Sequence, residues 1–497
     1  MGEKEIREVL DRNVPKGLAQ WQTPGLFVCV VKDGKTVISG GFGKRDGNHA
    51  IDRETLFPIG SGTKSFTAAL AAMLVEEGKL DWDVPVREYV PEVRFYDEFT
   101  TSHVTVRDLL CHRSGLPRHE FSWYGTPFDR EEILYNIRYL RPNCAFRTKM
   151  QYSNHGFILA GRVIERITGM TWEKNIEERI FKPLEMTRST VFTGVYEKDD
   201  NRAIPYGRPD IRHSLEGMCE IPVYRSLAEQ GDLGAPHGPA GSVVSCAADM
   251  EKWLQFQVTG KTPKGETLLS GSSLQEMHRT QMPMPVPMDM PQPEMTFTGY
   301  GLGWFVSCYR GQQFVEHGGN INGFASYTCM LPLLSLGIAI CANMNACTYP
   351  RALARQIMDH YLGICDGNWS DRYYEAKKAL ECAPEEETEE LRGERDLSIV
   401  PRCEFSEYAG TYHADGYSDF HIGYERGTLI AHYLGVEGKL LPYRGETFVL
   451  NGGFGELDYM TPLFFKEENA SGKIEGFELP VVPEDLEHPI FFRKVEK

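Results

Sequence analysis

The stretch Phe57-Pro58-Ile59-Gly60-Ser61-Gly62-Thr63-Lys64-Ser65-Phe66-Thr67 places a serine where an apolar helical pattern begins and a lysine three positions later. The pattern is rich in Ala, Leu and Met from about Ser61 to Glu77, and Gly78 is placed to stop it. Three positions apart on a helix, the two side chains share a face and reach each other. Amides at a helix start also stabilise negative charge on a bound acyl oxygen. A serine hydroxyl is a poor nucleophile until a base takes its proton. A lysine serves as that base when burial or a neighbouring cation keeps it neutral. Alone, Ser-x-x-Lys is weak, because about two such matches are expected by chance in a chain this long. A helix N-cap beside a solvated lysine is the better explanation of an isolated match.

Two further patterns follow. Tyr152-Ser153-Asn154 stands just before a helical pattern running from about Asn154 to Thr168, with Gly169 as its terminator. A tyrosine there can relay a proton between Ser61, Lys64 and a leaving group, and Asn154 can hydrogen-bond a substrate amide or the lysine. A core tyrosine with a capping asparagine is the competing reading. Glu316-His317-Gly318-Gly319-Asn320 precedes an apolar run that reads as strand. Gly318 and Gly319 let a substrate backbone lie close, and His317 adds a donor or cation beside it. In isolation a Gly-Gly turn with an incidental histidine suffices.

The surrounding pattern is α+β. Leu26 to Val31 and Thr36 to Ile38 flank Asp33-Gly34, a strong hairpin signal. Thr105 caps a helix over Val106 to Cys111, Ala247 to Phe256 reads as helix, and Leu336 to Ala342 reads as a buried strand. Together they predict an antiparallel sheet flanked by a sizeable helical region. The Met- and Pro-rich stretch from Gln281 to Met295 cannot be regular helix and reads as a surface loop or as a wall over an apolar pocket. At Ala383 to Arg395 an acidic run marks a linker. Short β-patterned runs with glycine turns then predict an all-β barrel or sandwich of about a hundred residues. The expected division is 1–380, a linker at 381–400, and 401–497.

Composition narrows the function. The chain has 497 residues, enough for two domains, and 41% hydrophobic with 25% charged residues is ordinary for a globular protein. A net charge of -17 without a basic run argues against a nucleic-acid partner. No run of about 18 apolar residues predicts a membrane span. The start is charged and lacks the apolar core of a signal peptide, and twelve scattered cysteines lack a CxxC pair. Reduced thiols and a cytoplasmic location are therefore expected. No His-Glu-x-x-His or other metal spacing occurs, so neither metal nor cofactor is expected, and no Gly-x-Ser-x-Gly elbow points to an α/β-hydrolase.

The three patterns in this order resemble the penicillin-binding-protein and class C β-lactamase-related serine hydrolases, which carry Ser-x-x-Lys, Tyr-x-Asn or Ser-x-Asn, and Lys-Thr-Gly or His-x-Gly. Segments such as Leu109-Leu110-Cys111-His112-Arg113-Ser114-Gly115-Leu116-Pro117, Pro239-Ala240-Gly241-Ser242 and Tyr300-Gly301-Leu302-Gly303-Trp304 fit the same family. The resemblance covers roughly residues 5–365. It implies an acyl-enzyme cycle with Ser61 as nucleophile, Lys64 and Tyr152 moving protons, and Asn154 binding substrate and holding the lysine. It also implies an oxyanion hole from the amides of Ser61 and of a residue near Asn320. His317 stands where the lysine of the Lys-Thr-Gly form binds carboxylates, which turns the expectation away from antibiotics and cell-wall stems. His112 is expected to be structural, and Trp123, Tyr124 and Trp304 are candidates for lining a pocket. Glu407-Tyr408-Ala409-Gly410-Thr411-Tyr412 and Phe491-Phe492-Arg493 resemble the opening and close of the lipocalin-like barrel found downstream of some members. That architecture implies a peptidase or amidase acting on small molecules or short peptides, including those of D-amino acids. An esterase, an acyltransferase and a non-catalytic sensor are the alternatives, and a homo-oligomer is compatible with all of them.

Overall fold

The computed structural model describes residues 3–208, 217–220, 234–285, 294–364, 367–381, 396–451, 461–467, 473–480 and 488–495. The acidic run expected to be a linker, and residues 286–293 of the Met- and Pro-rich stretch, lie outside them. Helix α1 (Glu3–Gln20) leads into the expected hairpin of β1 (Gly25–Lys32) and β2 (Lys35–Gly43). Asp33 and Gly34 both take positive φ, 53° and 71°, which is what a two-residue turn between right-twisted strands requires. The serine-bearing pattern forms a single turn at Gly60–Gly62 and then helix α2 (Thr63–Glu76). The regular helix thus begins two residues later than its apolar pattern, because Gly60 adopts a φ of 52°. Helices α3 (Val106–Leu110), α4 (Arg130–Asn136), α5 (Asn154–Thr168) and α6 (Ala247–Thr259) follow. Thr105 and Asp108 close a reciprocal cap on α3, as the sequence predicts.

The rest of the sheet is β3 (Met282–Met284), β4 (Met295–Tyr300), β5 (Phe305–Tyr309), β6 (Gln312–Ile321), β7 (Phe324–Leu331) and β8 (Leu336–Ala342). The ends of the stretch expected to be a loop are therefore strands, paired Met282 with Tyr300 and Met284 with Thr298. The eight strands order as β2-β1-β8-β7-β6-β5-β4-β3, antiparallel throughout. Helices α7 (Tyr349–Tyr361) and α8 (Trp369–Glu381) come after it.

Strand β1 is apolar from Leu26 to Val31 because it is covered on both faces. Its side chains alternate between two cores. Phe27, Cys29 and Val31 join the core that holds α2 and α5, whereas Leu26, Val28 and Val30 join the one that holds α1 and α7. Strand β8 divides in the same way, with Ala339 and Cys341 on one side and Ile338 and Ile340 on the other. The sheet is the middle layer, and α2 lies against it with Phe66 stacked on Trp253 of α6 at 3.7 Å.

The tail closes as an eight-stranded barrel: β9 (Gly410–His413), β10 (Phe420–Glu425), β11 (Thr428–Tyr433), β12 (Val436–Arg444), β13 (Thr447–Asn451), β14 (Thr461–Glu467), β15 (Ile474–Leu479) and β16 (Ile490–Val495). Each strand pairs with the next, and β9 returns to β16. Its lumen is filled by aromatic rings. Phe477 lies 5.0 Å from Tyr412, 5.0 Å from Phe420 and 5.3 Å from both Phe465 and Phe492. Among the described residues no helix is long and apolar enough to cross a membrane.

Phe477 is fully buried, so Phe477→Ala removes the centre of this cluster. The expected cost is about 3–5 kcal/mol, read as a lowered midpoint in chemical or thermal unfolding of the full chain.

Candidate active site

Lys64 lies on the first turn of α2 and is sealed from solvent. Its Nζ is 3.0 Å from Ser61 Oγ, 2.7 Å from Asn154 Oδ1 and 3.0 Å from the carbonyl oxygen of Ala240. Asn154 Oδ1 and the Ala240 carbonyl can only accept. A neutral amine has two hydrogens and one lone pair. In the neutral form both hydrogens go to these acceptors and the lone pair faces the Ser61 hydroxyl, whereas in the charged form the third hydrogen goes to Ser61 Oγ. Burial pushes the lysine well below its ordinary pKa, and the nearby Arg118 guanidinium adds to this while Glu120 opposes it.

Each partner is fixed by its own element. Asn154 is the first residue of α5, and the Tyr152–Asn154 stretch is held by His112 from both sides. The His112 carbonyl accepts from Gln151 N at 2.7 Å, and its Nδ1 accepts from Ser153 N at 3.1 Å. Its ring packs 4.3 Å from that of Tyr152. The structural role expected for His112 thus takes a definite form: it grips the backbone on either side of the tyrosine. Ala240 belongs to a short helix at Gly238–Gly241 pinned to α2. Thr67 Oγ1 donates to the Pro239 carbonyl at 2.7 Å, and Thr63 Oγ1 accepts from Val243 N at 2.9 Å.

Tyr152 lies over the pair. Its hydroxyl hydrogen-bonds Ser61, and burial raises its pKa above the ordinary phenol value, so it keeps its proton. Lys64 Nζ is 4.8 Å and Arg118 Cζ 4.6 Å from its ring centre. Arg118 also pairs with Glu120 at 2.8 Å.

Strand β6 forms the opposite wall. Gly319 lies so close to the loop carrying Ser61 that an added Cβ would be 2.0 Å from the Ile59 carbonyl and 2.9 Å from Ser61 N. Gly60 in turn faces the backbone of Asn320, where a Cβ would stand 2.9 Å from the Asn320 carbonyl and 3.3 Å from its nitrogen. The backbones of Ser61 and Asn320 are thus brought side by side. Gly318 has room, its nearest neighbour to an added Cβ being 3.7 Å away. His317 is buried with both ring nitrogens engaged, Nδ1 with the Gly318 carbonyl at 2.6 Å and Nε2 with the Tyr300 hydroxyl at 2.8 Å. Burial above all pushes its ring down to about 3. The donor or cation expected at His317 is a neutral ring built into the wall.

All five motif residues from Ser61 to His317 therefore converge, together with Gly318, Gly319 and Asn320. Of the aromatic candidates, Trp304 is fully buried core, whereas Trp123 and Tyr124 border the cleft. Sequence reasoning missed the Ala240 carbonyl, Arg118 and Tyr300. A backbone carbonyl has no side-chain signature, no local pattern marks Arg118, and the segment opened by Tyr300 carries no sign of the contact with His317.

Comparison with known proteins gives a consistent picture. A family model described as Beta-lactamase matches residues 10–361. An unguisins hydrolase of Aspergillus campestris is 30% identical over 387 residues, which is 74% of this chain and 68% of that protein. Protein flp of Staphylococcus aureus is 24% identical over 367 residues, 72% of this chain and 67% of its own length. The chain thus spans about two thirds of these relatives. Among solved structures, the octameric penicillin-binding protein homologue from Pyrococcus abyssi matches with a TM-score of 0.61 at 22% identity, over 98% of this chain and 99% of that one. That likeness of fold extends through the barrel.

Two outcomes follow from the geometry. Gly319→Ala should cost at least a hundredfold in kcat/KM, whereas Gly318→Ala should cost less than about threefold, measured with a chromogenic ester. Removing a nearby cation lets Lys64 hold its proton to higher pH. Arg118→Met should therefore move the acidic limb of the acylation rate to higher pH, and Arg118→Lys should leave it in place.

Proposed function

The chain belongs to the beta-lactamase family, and on that premise we propose that it is a serine hydrolase cleaving amide or peptide bonds of small substrates through an acyl-enzyme on Ser61. The observation that carries this reading is the set of contacts at Lys64, whose two acceptor partners leave the amine lone pair to Ser61. A buried lysine held in this way is a base at neutral pH rather than a cation.

The cycle follows from the positions. Lys64 takes the Ser61 proton as Oγ attacks the substrate carbonyl carbon. The carbonyl oxygen becomes an oxyanion between the Ser61 and Asn320 amides, which need no reorganisation to receive it. As the carbon–nitrogen bond breaks, Tyr152 gives its proton to the leaving amine and is recharged from Lys64. A water then attacks the acyl-serine ester, its proton returning through the same pair, and Ser61 is released. Asn154 orients the lysine throughout and offers its amide to the substrate. His317, Gly318 and Gly319 shape the wall along which the substrate lies.

Peptides or amides of D-amino acids are the leading substrate class. Esters are the second reading, favoured by His317: a neutral ring with both nitrogens engaged offers no positive charge to a substrate carboxylate. An acyltransferase differs only in what intercepts the acyl-enzyme. A non-catalytic sensor is opposed by the complete set of Ser61, Lys64 and Tyr152. The hydrolase name of the fungal relatives supports the reaction class. The octamer named for the Pyrococcus abyssi structure supports a homo-oligomer.

A fluorophosphonate probe should label the wild-type protein and leave Ser61→Ala unlabelled. Ser61→Ala should also lower turnover by at least about ten-thousandfold. Labelling of both proteins would overturn the reading. A panel of D- and L-aminoacyl p-nitroanilides against p-nitrophenyl esters should show D-aminoacyl amides turned over, and activity confined to esters would replace the first substrate class with the second.

A further inference from the structure

We propose that Tyr124 and Asn322 form a crossbar over one end of the catalytic cleft and limit the acyl part of the substrate to about one amino-acid residue in length. This rests on Ser61 being the nucleophile.

The Tyr124 hydroxyl donates to Asn322 Oδ1 at 2.8 Å. Tyr124 lies in the loop that follows Arg118, on the same side of the cleft as Tyr152. Asn322 opens the turn between β6 and β7, on the opposite side. The hydrogen bond therefore joins the two walls. Asn322 comes two residues after Asn320, whose amide is the second oxyanion donor of the proposed cycle. Asn322 follows the last residue of β6, so two residues of chain place the crossbar at most about 7 Å from that amide.

The direction of the substrate follows from where the proton must go. A leaving amine needs the Tyr152 hydroxyl, and the Tyr152 ring lies 6.3 Å from that of His317, three residues before Asn320 on β6. The leaving group thus points to the His317 end and the acyl group to the Asn322 end. One extended residue spans about 3.3–3.6 Å. The carbonyl, Cα and amino group of a single residue fit before the crossbar, and a second residue runs into it. The hollow beside it, lined by His237, Ser242, Ile321 and Asn322 among others, is only about 20 Å³, space for a water or a methyl group.

The crossbar is braced from behind by the barrel. Tyr417 of the barrel shares a 2.7 Å hydrogen bond with His119 Nδ1, and Tyr433 packs its ring 5.9 Å from Phe121. Gly125, next to Tyr124, sits under the carbonyl of Leu434 at the tip of the β11–β12 turn, with a φ of 69°. The loop is thus held at three places before it reaches across to Asn322.

An acyl-length series tests this without deciding between amide and ester preference. With p-nitrophenyl butyrate and octanoate, the wild type should favour butyrate at least tenfold in kcat/KM. Tyr124→Ala should shrink that ratio below about threefold, and Asn322→Ala, which removes the same bond from the other wall, should shrink it likewise. Circular dichroism confirms the fold of each variant. A wild type indifferent to acyl length, or a ratio unchanged in both folded variants, overturns the crossbar. Hydrolysis persisting in Ser61→Ala would instead overturn the nucleophile, leaving the two failures distinguishable.

Discussion

A lysine nitrogen sealed from water must find a partner in every direction in which it presents a hydrogen or a lone pair. Lys64 meets that demand with an asparagine oxygen, a backbone carbonyl and the Ser61 hydroxyl. The three partners can accept from an ammonium as well as serve an amine, so hydrogen bonding alone does not choose between them. Desolvation, with the Arg118 charge beside it, is what pushes Lys64 towards a base. Much of the catalytic domain can be understood as the means of holding these three partners in place.

The partners come from distant parts of the chain. Asn154 arrives on α5, and Ala240 arrives on a short helix tied to α2 by two threonines. Ser61 is held by a loop pressed against β6, where Gly319 leaves no space for a side chain. Burial of the sheet on both faces fixes how far β6 stands from α2, since two apolar cores must fill before either can move. The precision of the site is a property of those cores.

Much of this was legible in the sequence where the signals are local. The hairpin at Asp33-Gly34, the cap at Thr105, α5 ending at Gly169 and the buried strand Leu336–Ala342 all carry turn chemistry or periodicity of their own. The barrel showed itself as short strands punctuated by glycine, though its solid lumen did not. Ser61 and Lys64 were readable only because Tyr152, Asn154 and His317 follow in order. What stayed hidden depends on contacts between remote residues. The Ala240 carbonyl has no identity in a sequence, and Tyr124 and Asn322 are 198 positions apart. The sequence left His317 open between a donor and a cation, because its burial and its bond to Tyr300 come from residues outside its motif.

The ring-packed barrel bears on how such an enzyme fails under heat. Its aromatic side chains bury one another, so it can melt as a cooperative unit of its own. It meets the catalytic domain through Tyr417, Tyr433 and Leu434, and through Gly416, which packs against Tyr139 and Leu140. If it loosens first, the loop carrying Tyr124 loses its backing while Lys64 remains sealed by α2, α5 and the segment around Ala240. Selectivity would then be lost before turnover, and a warmed protein would pass through a promiscuous stage on its way to inactivity.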